Sequence, residues 1–135
     1  MRNSYIGKMT PSKEDYLKVM LELSDDMGIR SSDIANALGI SRASVSRMMS
    51  VLKDEGYIAK EKYSTITLTE SGRKAAVNTK RKYDLLKAFF SDVLGIETAT
   101  AAGDACRMEH SISLETTEKI EQQLEKMAYL QKGHL

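Results

Sequence analysis

The sequence predicts a mainly α-helical protein carrying one small β-hairpin. Apolar residues recur at helical spacing along most of the chain, residues 57–69 switch to strand alternation, and a single Pro among 135 residues does little to interrupt helices. The chain is long enough for one compact domain, or for two small ones sharing a core. Hydrophobic residues make up 41 %, charged residues 29 % and aromatics 6 %, a soluble composition without Pro-rich or Gly/Ser-rich linkers. One Cys excludes an internal disulfide and, with it, a disulfide-stapled secreted fold. No apolar run reaches the roughly 20 residues of a membrane span, and Met1–Thr10 has no apolar stretch of signal-peptide type. The expected location is therefore cytoplasmic, with no membrane partner.

Each element has its own signal. Pro11 to about Met27 reads as a helix, because Tyr16, Val19, Met20 and Leu23 form one stripe. Its start is either Thr10 before Pro11 or a capping box of Ser12 with Asp15, and Gly28 closes it. A short helix, Ser32 to Leu38, has Ser31 or Ser32 as cap, Ile34, Ala35 and Leu38 inward, and Gly39 at its end. Ser41 caps the next helix, which runs to about Glu55 with Val45, Met48, Met49 and Leu52 inward and Gly56 as its stop. Two helices joined by the Gly-containing turn Leu38–Ser41 have the spacing of a helix-turn-helix. Thr65–Thr69 alternates polar and apolar side chains, Tyr57–Glu61 is its mate, and Lys62, Tyr63 and Ser64 form the turn. A basic hairpin directly after a helix-turn-helix is a wing. Thr69 or Ser71 opens a long helix to about Leu94 with Leu85, Leu86, Phe89, Phe90 and Val93 as its stripe. Two more helices follow, from Glu97 or Thr98 to His110 and from Leu114 to Leu130, the last with Ile120, Leu124, Met127 and Tyr129 or Leu130 inward. The fold class is thus a winged helix-turn-helix followed by a helical region, with residues 1–72 as the DNA-binding domain and 73–135 as the second.

The near-neutral total charge conceals an asymmetry. Residues 1–82 hold 15 Lys+Arg against 10 Asp+Glu, whereas residues 83–135 hold 5 against 9. A basic front half and an acidic back half suit different partners, the first of them nucleic acid. The second helix of a helix-turn-helix lies in the major groove and presents its N-terminal residues to base edges. Here those are Ser41, Arg42, Ala43, Ser44, Ser46 and Arg47, and acids are missing between Asp33 and Asp54. Arg can pair with guanine, Ser hydroxyls and helix-start amides suit phosphates, and Ala43 can touch a thymine methyl. Lys60 and Lys62 add two cations on the wing. A generic three-helix core with a solvated basic face fits the composition too, but not the helix-helix-hairpin order.

In the back half, Cys106, Glu109 and His110 stand at i, i+3 and i+4. On a helix that spacing shares one face, and thiolate, carboxylate and imidazole are three ligand types for a divalent transition metal. The same spacing fits a small core Cys beside a surface Glu–His pair. A catalytic reading has less behind it: a Cys–His pair lacks an orienting third group, and no Gly-rich phosphate loop, His-Glu-x-x-His or Gly-x-Ser-x-Gly occurs. No enzyme and no small-molecule substrate is expected.

Thr-Pro-Ser-Lys-Glu-Asp-Tyr-Leu (10–17), Ser-Asp-Ile-Ala-Asn-Ala-Leu (32–38), Ser-Val-Ser-Arg-Met (44–48), Leu-Thr-Glu-Ser-Gly (68–72) and Ala-Cys-Arg-Met-Glu-His (105–110) resemble the diphtheria-toxin-repressor family of metal-dependent transcriptional regulators. In length the chain is similar to the short manganese-transport-regulator branch, without the SH3-like domain of longer members. The resemblance implies a homodimer joined through the helical second half, binding a palindromic operator as a repressor of metal uptake. It also implies a metal site of Asp15, Cys106, Glu109 and His110.

The sequence departs from that family pattern at four positions. A second acid one turn after the first ligand is Lys18 here, a ligand His on the long helix is Tyr83, the acid four residues on is Lys87, and a His ahead of the Cys is Ala102. The second metal position of the family is therefore dismantled. Two readings follow. In one, a single ion binds, and a thiolate–imidazole set favours Fe²⁺, Co²⁺, Ni²⁺ or Zn²⁺ over Mn²⁺. In the other, Lys18 replaces the metal charge and the regulator works with no metal.

Overall fold

The computed structural model describes residues 9–24, 28–60 and 65–131, apart from the side chains of 129 and 131. Among the described residues, six α-helices and one two-stranded antiparallel hairpin are ordered α1 (Pro11–Leu23), α2 (Ser31–Leu38), α3 (Arg42–Asp54), β1 (Ile58–Lys60), β2 (Ile66–Leu68), α4 (Glu70–Ala88), α5 (Thr98–Met108) and α6 (Leu114–Gln131). This is a winged helix followed by a helical region. By contacts the chain divides into residues 1–78 and 79–135, with the boundary inside α4.

In the first unit, Thr10 caps α1, accepting the Lys13 N–H at 3.3 Å, and Pro11 follows. Capping therefore falls to Thr10, and the Ser12–Asp15 box is not used. Helix α1 stops at Leu23, well before the expected Met27, and Ser24 turns extended as its hydroxyl bonds the Met20 carbonyl at 2.7 Å. The residue after Gly28 does something the sequence reading missed. Ile29 forms an antiparallel bridge with Ile66, its N–H donating at 2.9 Å and its carbonyl accepting at 2.7 Å. Hairpin register pairs Ile58 with Leu68, Ala59 with Thr67 and Lys60 with Ile66. Ile66 is thus held from both sides and fully buried.

Helix α2 begins one residue earlier than expected, with Arg30 at its cap and no side-chain cap bond, so neither Ser31 nor Ser32 caps it. Gly39 ends it at φ +67°, a left-handed conformation that costs glycine nothing. That bend lets Ser41 start α3 immediately, its side chain accepting from the Ser44 N–H at 3.1 Å. Leu17, Met20, Ile34, Val45, Leu52, Ile58 and Ile66 meet in one core, from which Met48 is partly excluded. The expected turn of the wing, Lys62, Tyr63 and Ser64, lies outside the described residues, as does Glu61.

Lys13 is also buried. Its ammonium donates to both carboxylate oxygens of Glu55 at 2.7 and 3.1 Å, with the two side chains only 7 % and 12 % exposed. Lys13 shares the face of Leu17 and Met20, so the helical stripe contained a signal for it. Removing one partner leaves the other charge buried. Lys13→Met is expected to lower stability by about 2–3 kcal/mol, read as a shifted denaturant midpoint. Lys13→Met/Glu55→Gln, which removes both charges, should recover most of that loss.

In the second unit α4 does not continue regularly to Leu94. Phe89–Val93 widens into a π-helical turn in which the Leu94 N–H reaches the Phe89 carbonyl at 3.2 Å. The two Phe rings sit edge to face, 6.2 Å between centroids. Leu86 is the buried member of the stripe, whereas Leu85, Phe89, Phe90 and Val93 are half-buried. Ser113 caps α6 through the Thr116 N–H at 3.1 Å, and Thr117 is the buried residue of its first turns. Ile120, Leu124 and Met127 are half-buried, while Leu130 is exposed. Among the described residues no helix is long and apolar enough to cross a membrane.

Candidate functional site

The exposed face of α3 carries the expected DNA-facing set. Ser41, Arg42, Ala43, Ser46 and Arg47 are exposed, Ser44 is half-exposed, and Val45 and Met49 face inward. The Ser41 hydroxyl donates to the Ser44 hydroxyl at 3.0 Å, and Arg47 donates to the same Ser44 oxygen at 3.2 Å. The chain Ser41–Ser44–Arg47 therefore holds one guanidinium against its own helix. Burial pushes the Tyr16 phenol of α1 above its usual pKa, partly opposed by the positive charge of Arg47. Lys60 is exposed at the end of β1, and Lys62 lies outside the described residues.

In the second unit, Ala101, Ala105 and Glu109 occupy successive turns of one face and are all fully buried. Two small alanines let α5 pack closely, and the same stripe carries the Glu109 carboxylate out of water. An isolated buried carboxylate is costly, and the His110 imidazole stands beside it, Nε2 to Oε1 at 3.3 Å with the His side chain 9 % exposed. Helix α5 ends at Met108 with Glu109 as its C-cap, still in helical backbone conformation and with its N–H donating to the Ala105 carbonyl at 2.9 Å, and His110 follows in the turn. Cys106 remains in the helix as an exposed free thiol. The structure thus joins Glu109 with His110 and leaves Cys106 on the outside of the same element. Asp15 is half-buried on α1 in the first unit.

The departures from the resemblance also have a structural expression. On α4 the Lys87 ammonium lies 6.0 Å from the centroid of the Tyr83 ring, a cation–π distance. Tyr83 and Lys87 thus stand one turn apart on α4, with the ammonium at the face of the ring.

A winged helix with a basic recognition helix, followed by a helical unit with a buried Glu–His pair, defines the class of DNA-binding regulators with an attached sensing region. Residues 8–66 match the iron-dependent repressor N-terminal DNA-binding domain, and residues 69–134 match the iron-dependent repressor metal-binding and dimerisation domain. The chain belongs to this family of metal-dependent, DNA-binding transcriptional regulators. It is similar to an uncharacterised HTH-type transcriptional regulator of Methanocaldococcus jannaschii, 34 % identical over 87 % of this chain and 96 % of the relative. Among solved structures it is similar to the manganese regulator SloR, 33 % identical with a TM-score of 0.76 over 87 % of this chain and 55 % of that one. It is also similar to ScaR with bound Zn²⁺, 33 % identical with a TM-score of 0.74 over 84 % of this chain and 53 % of that one. The chain spans about half the length of these two solved neighbours.

Proposed function

We propose that the protein is a metal-responsive repressor that binds a palindromic operator as a homodimer, with one divalent transition ion held by Asp15, Cys106, Glu109 and His110. The observation that carries this reading is the fully buried Glu109 carboxylate beside the His110 imidazole. Such a pair supplies oxygen and nitrogen donors in a dry setting, and a thiolate adds a softer ligand. The donor set fits Fe²⁺, Co²⁺, Ni²⁺ or Zn²⁺ better than Mn²⁺. A bound ion would supply positive charge at that carboxylate and would stabilise the form that holds it, by about 2.7 kcal/mol at a hundredfold excess over Kd.

The remaining work belongs to the chain. Arg42 and Arg47 present guanidinium groups on the exposed face of α3, and Ser41 and Ser44 keep Arg47 in one orientation. Exposed apolar side chains of the second unit, Leu94, Met108, Leu114 and Leu130, offer area for a partner copy to cover. Thiol and imidazole must shed protons to ligate, so metal affinity is expected to fall as pH is lowered.

The deciding experiment is binding to a duplex carrying the operator, with added Co²⁺ and with a chelator. Binding that requires Co²⁺ supports the reading. Equal binding in both conditions overturns the metal requirement and favours Lys18, one turn along α1 from Asp15, as the standing positive charge.

A further inference from the structure

On the surface beside the recognition helix the first unit contains a small polar cavity of about 120 Å³, most of whose polar lining residues are exposed. Its polar lining comes from three elements: Ser31 at the start of α2, Ser46, Ser50 and Lys53 along α3, and Lys60 at the end of β1. Ser46, Ser50 and Lys53 follow one another at i, i+4 and i+7 and so share a single face of α3. The cavity has room for roughly four water volumes of about 30 Å³ each. Its polar groups are three hydroxyls and two ammonium groups, with no carboxylate among them. Among the described residues neither lysine is held in an ion pair. Helix α2, whose first residue lines the cavity, has no side-chain cap, so the amides of its first turn lack a side-chain acceptor.

We propose that this cavity seats one backbone phosphate of the bound DNA in each protomer, with Lys53 and Lys60 as its charge partners and Ser31, Ser46 and Ser50 as hydroxyl donors. The proposal rests on the DNA-binding reading and deepens it. It adds Ser31, Ser50 and Lys53 to the expected interface and gives Lys60 a particular task. The chemistry is that of an anion: a phosphodiester carries one negative charge and two free acceptor oxygens, which ammonium and hydroxyl groups satisfy. The cavity is built by α2, α3 and β1 together, so an anchored phosphate would fix the angle at which α3 enters the groove. Such a contact positions the protein without reading sequence.

The test uses the full chain and a fluorescein-labelled duplex of arbitrary sequence, about 30 base pairs long, titrated at roughly 50–200 mM salt. Measurements are made with Co²⁺ and with a chelator. Lys53→Gln/Lys60→Gln is expected to flatten the dependence of log K on log salt by about 0.9 for each protomer bound. Lys119→Gln on α6 should keep the wild-type slope. Ser50→Asp, which sets a carboxylate at the cavity, should weaken binding at the low-salt end without lowering the melting temperature. A wild-type slope in the double lysine variant, or undiminished binding by Ser50→Asp, overturns the phosphate seat while leaving DNA binding intact. Absence of salt-dependent duplex binding by the wild type in both conditions overturns the DNA-binding reading, and this proposal with it.

Discussion

Gly72→Ala is expected to cost on the order of 4 kcal/mol, an exceptional loss for one methyl group. The new Cβ would collide with the carbonyl oxygen of Tyr57 and come within 3.3 Å of Leu68 Cδ2. A side chain could give way, but a backbone carbonyl fixed on several sides cannot. The Tyr57 carbonyl accepts the Thr69 N–H at 3.1 Å. The neighbouring Gly56 carbonyl accepts the Thr69 hydroxyl at 2.6 Å and the Ser71 hydroxyl at 3.0 Å. The Gly72 N–H donates to the Thr69 hydroxyl at 3.2 Å, closing the knot. Together these bonds tie the start of α4 to the link between α3 and the wing. A methyl group at 72 must break them or push α4 away. The loss corresponds to about 12–16 °C in Tm for a chain of this size, compared at fixed protein concentration because a dimer melts later when concentrated. Ser71→Ala removes an exposed hydroxyl and its bonds to the Gly56 carbonyl and the Thr69 hydroxyl, and should cost about 1 kcal/mol. A Gly72→Ala chain that melts with the wild type would show that the contact relaxes without loss.

That knot was only partly legible in the sequence. Of Thr69 and Ser71, the alternative helix starts in the sequence, Thr69 opens α4 and Ser71 lies in its first turn, but the side-chain bonds of both run back to Gly56 across the hairpin. Local pattern carries no information on such a pairing. The same limit explains Ile29. Residues after Leu23 look like the end of a helix, because a bridge to Ile66 depends on a partner far along the chain. Turns set by single residues were fully legible: Gly39 in the left-handed region and Ser41 as a side-chain cap each act within a few residues. The alternation of Thr65–Thr69 and the stripe of Val45, Met49 and Leu52 likewise report their own burial. The π-helical turn at Phe89–Val93 was hidden for another reason. Its apolar spacing is close to that of an α-helix, and what distinguishes it is one displaced hydrogen bond. Glu109 and His110 were found by residue type. Their different burial from Cys106 could not be read from i, i+3, i+4 spacing, because burial follows the stripe of Ala101, Ala105 and Glu109, and Cys106 stands beside that stripe rather than on it.

Substitution of the proposed ligands should separate the two readings of regulation. In Co²⁺ titrations of the full chain, His110→Ala and Cys106→Ser are each expected to lower affinity by more than the about 10–100-fold that losing a ligand's supporting partner costs. Among variants saturated with Co²⁺, only Cys106→Ser should lack the absorption that a thiolate–Co²⁺ bond produces, because the other ligands bear no sulfur. Glu109→Gln keeps the shape of a fully buried side chain but removes its charge. It should abolish metal binding while leaving the chelated protein at least as stable as the wild type, since a neutral amide is cheaper to bury than a carboxylate. Asp15→Asn tests the ligand expected from α1. Lys18→Glu places a carboxylate one turn further along that helix, where the resemblance expects a second acid, and removes the standing positive charge; with Tyr83, Lys87 and Ala102 unchanged, the stoichiometry should stay at one ion per chain. If Cys106→Ser and His110→Ala both bind Co²⁺ as the wild type does, the ligand set is wrong. If the wild type binds no ion, and Lys18→Gln alone weakens duplex binding, the positive charge on α1 is the lysine itself. A permanent cation leaves the repressor no metal to sense, so that outcome would also move the search for its trigger away from Glu109 and His110.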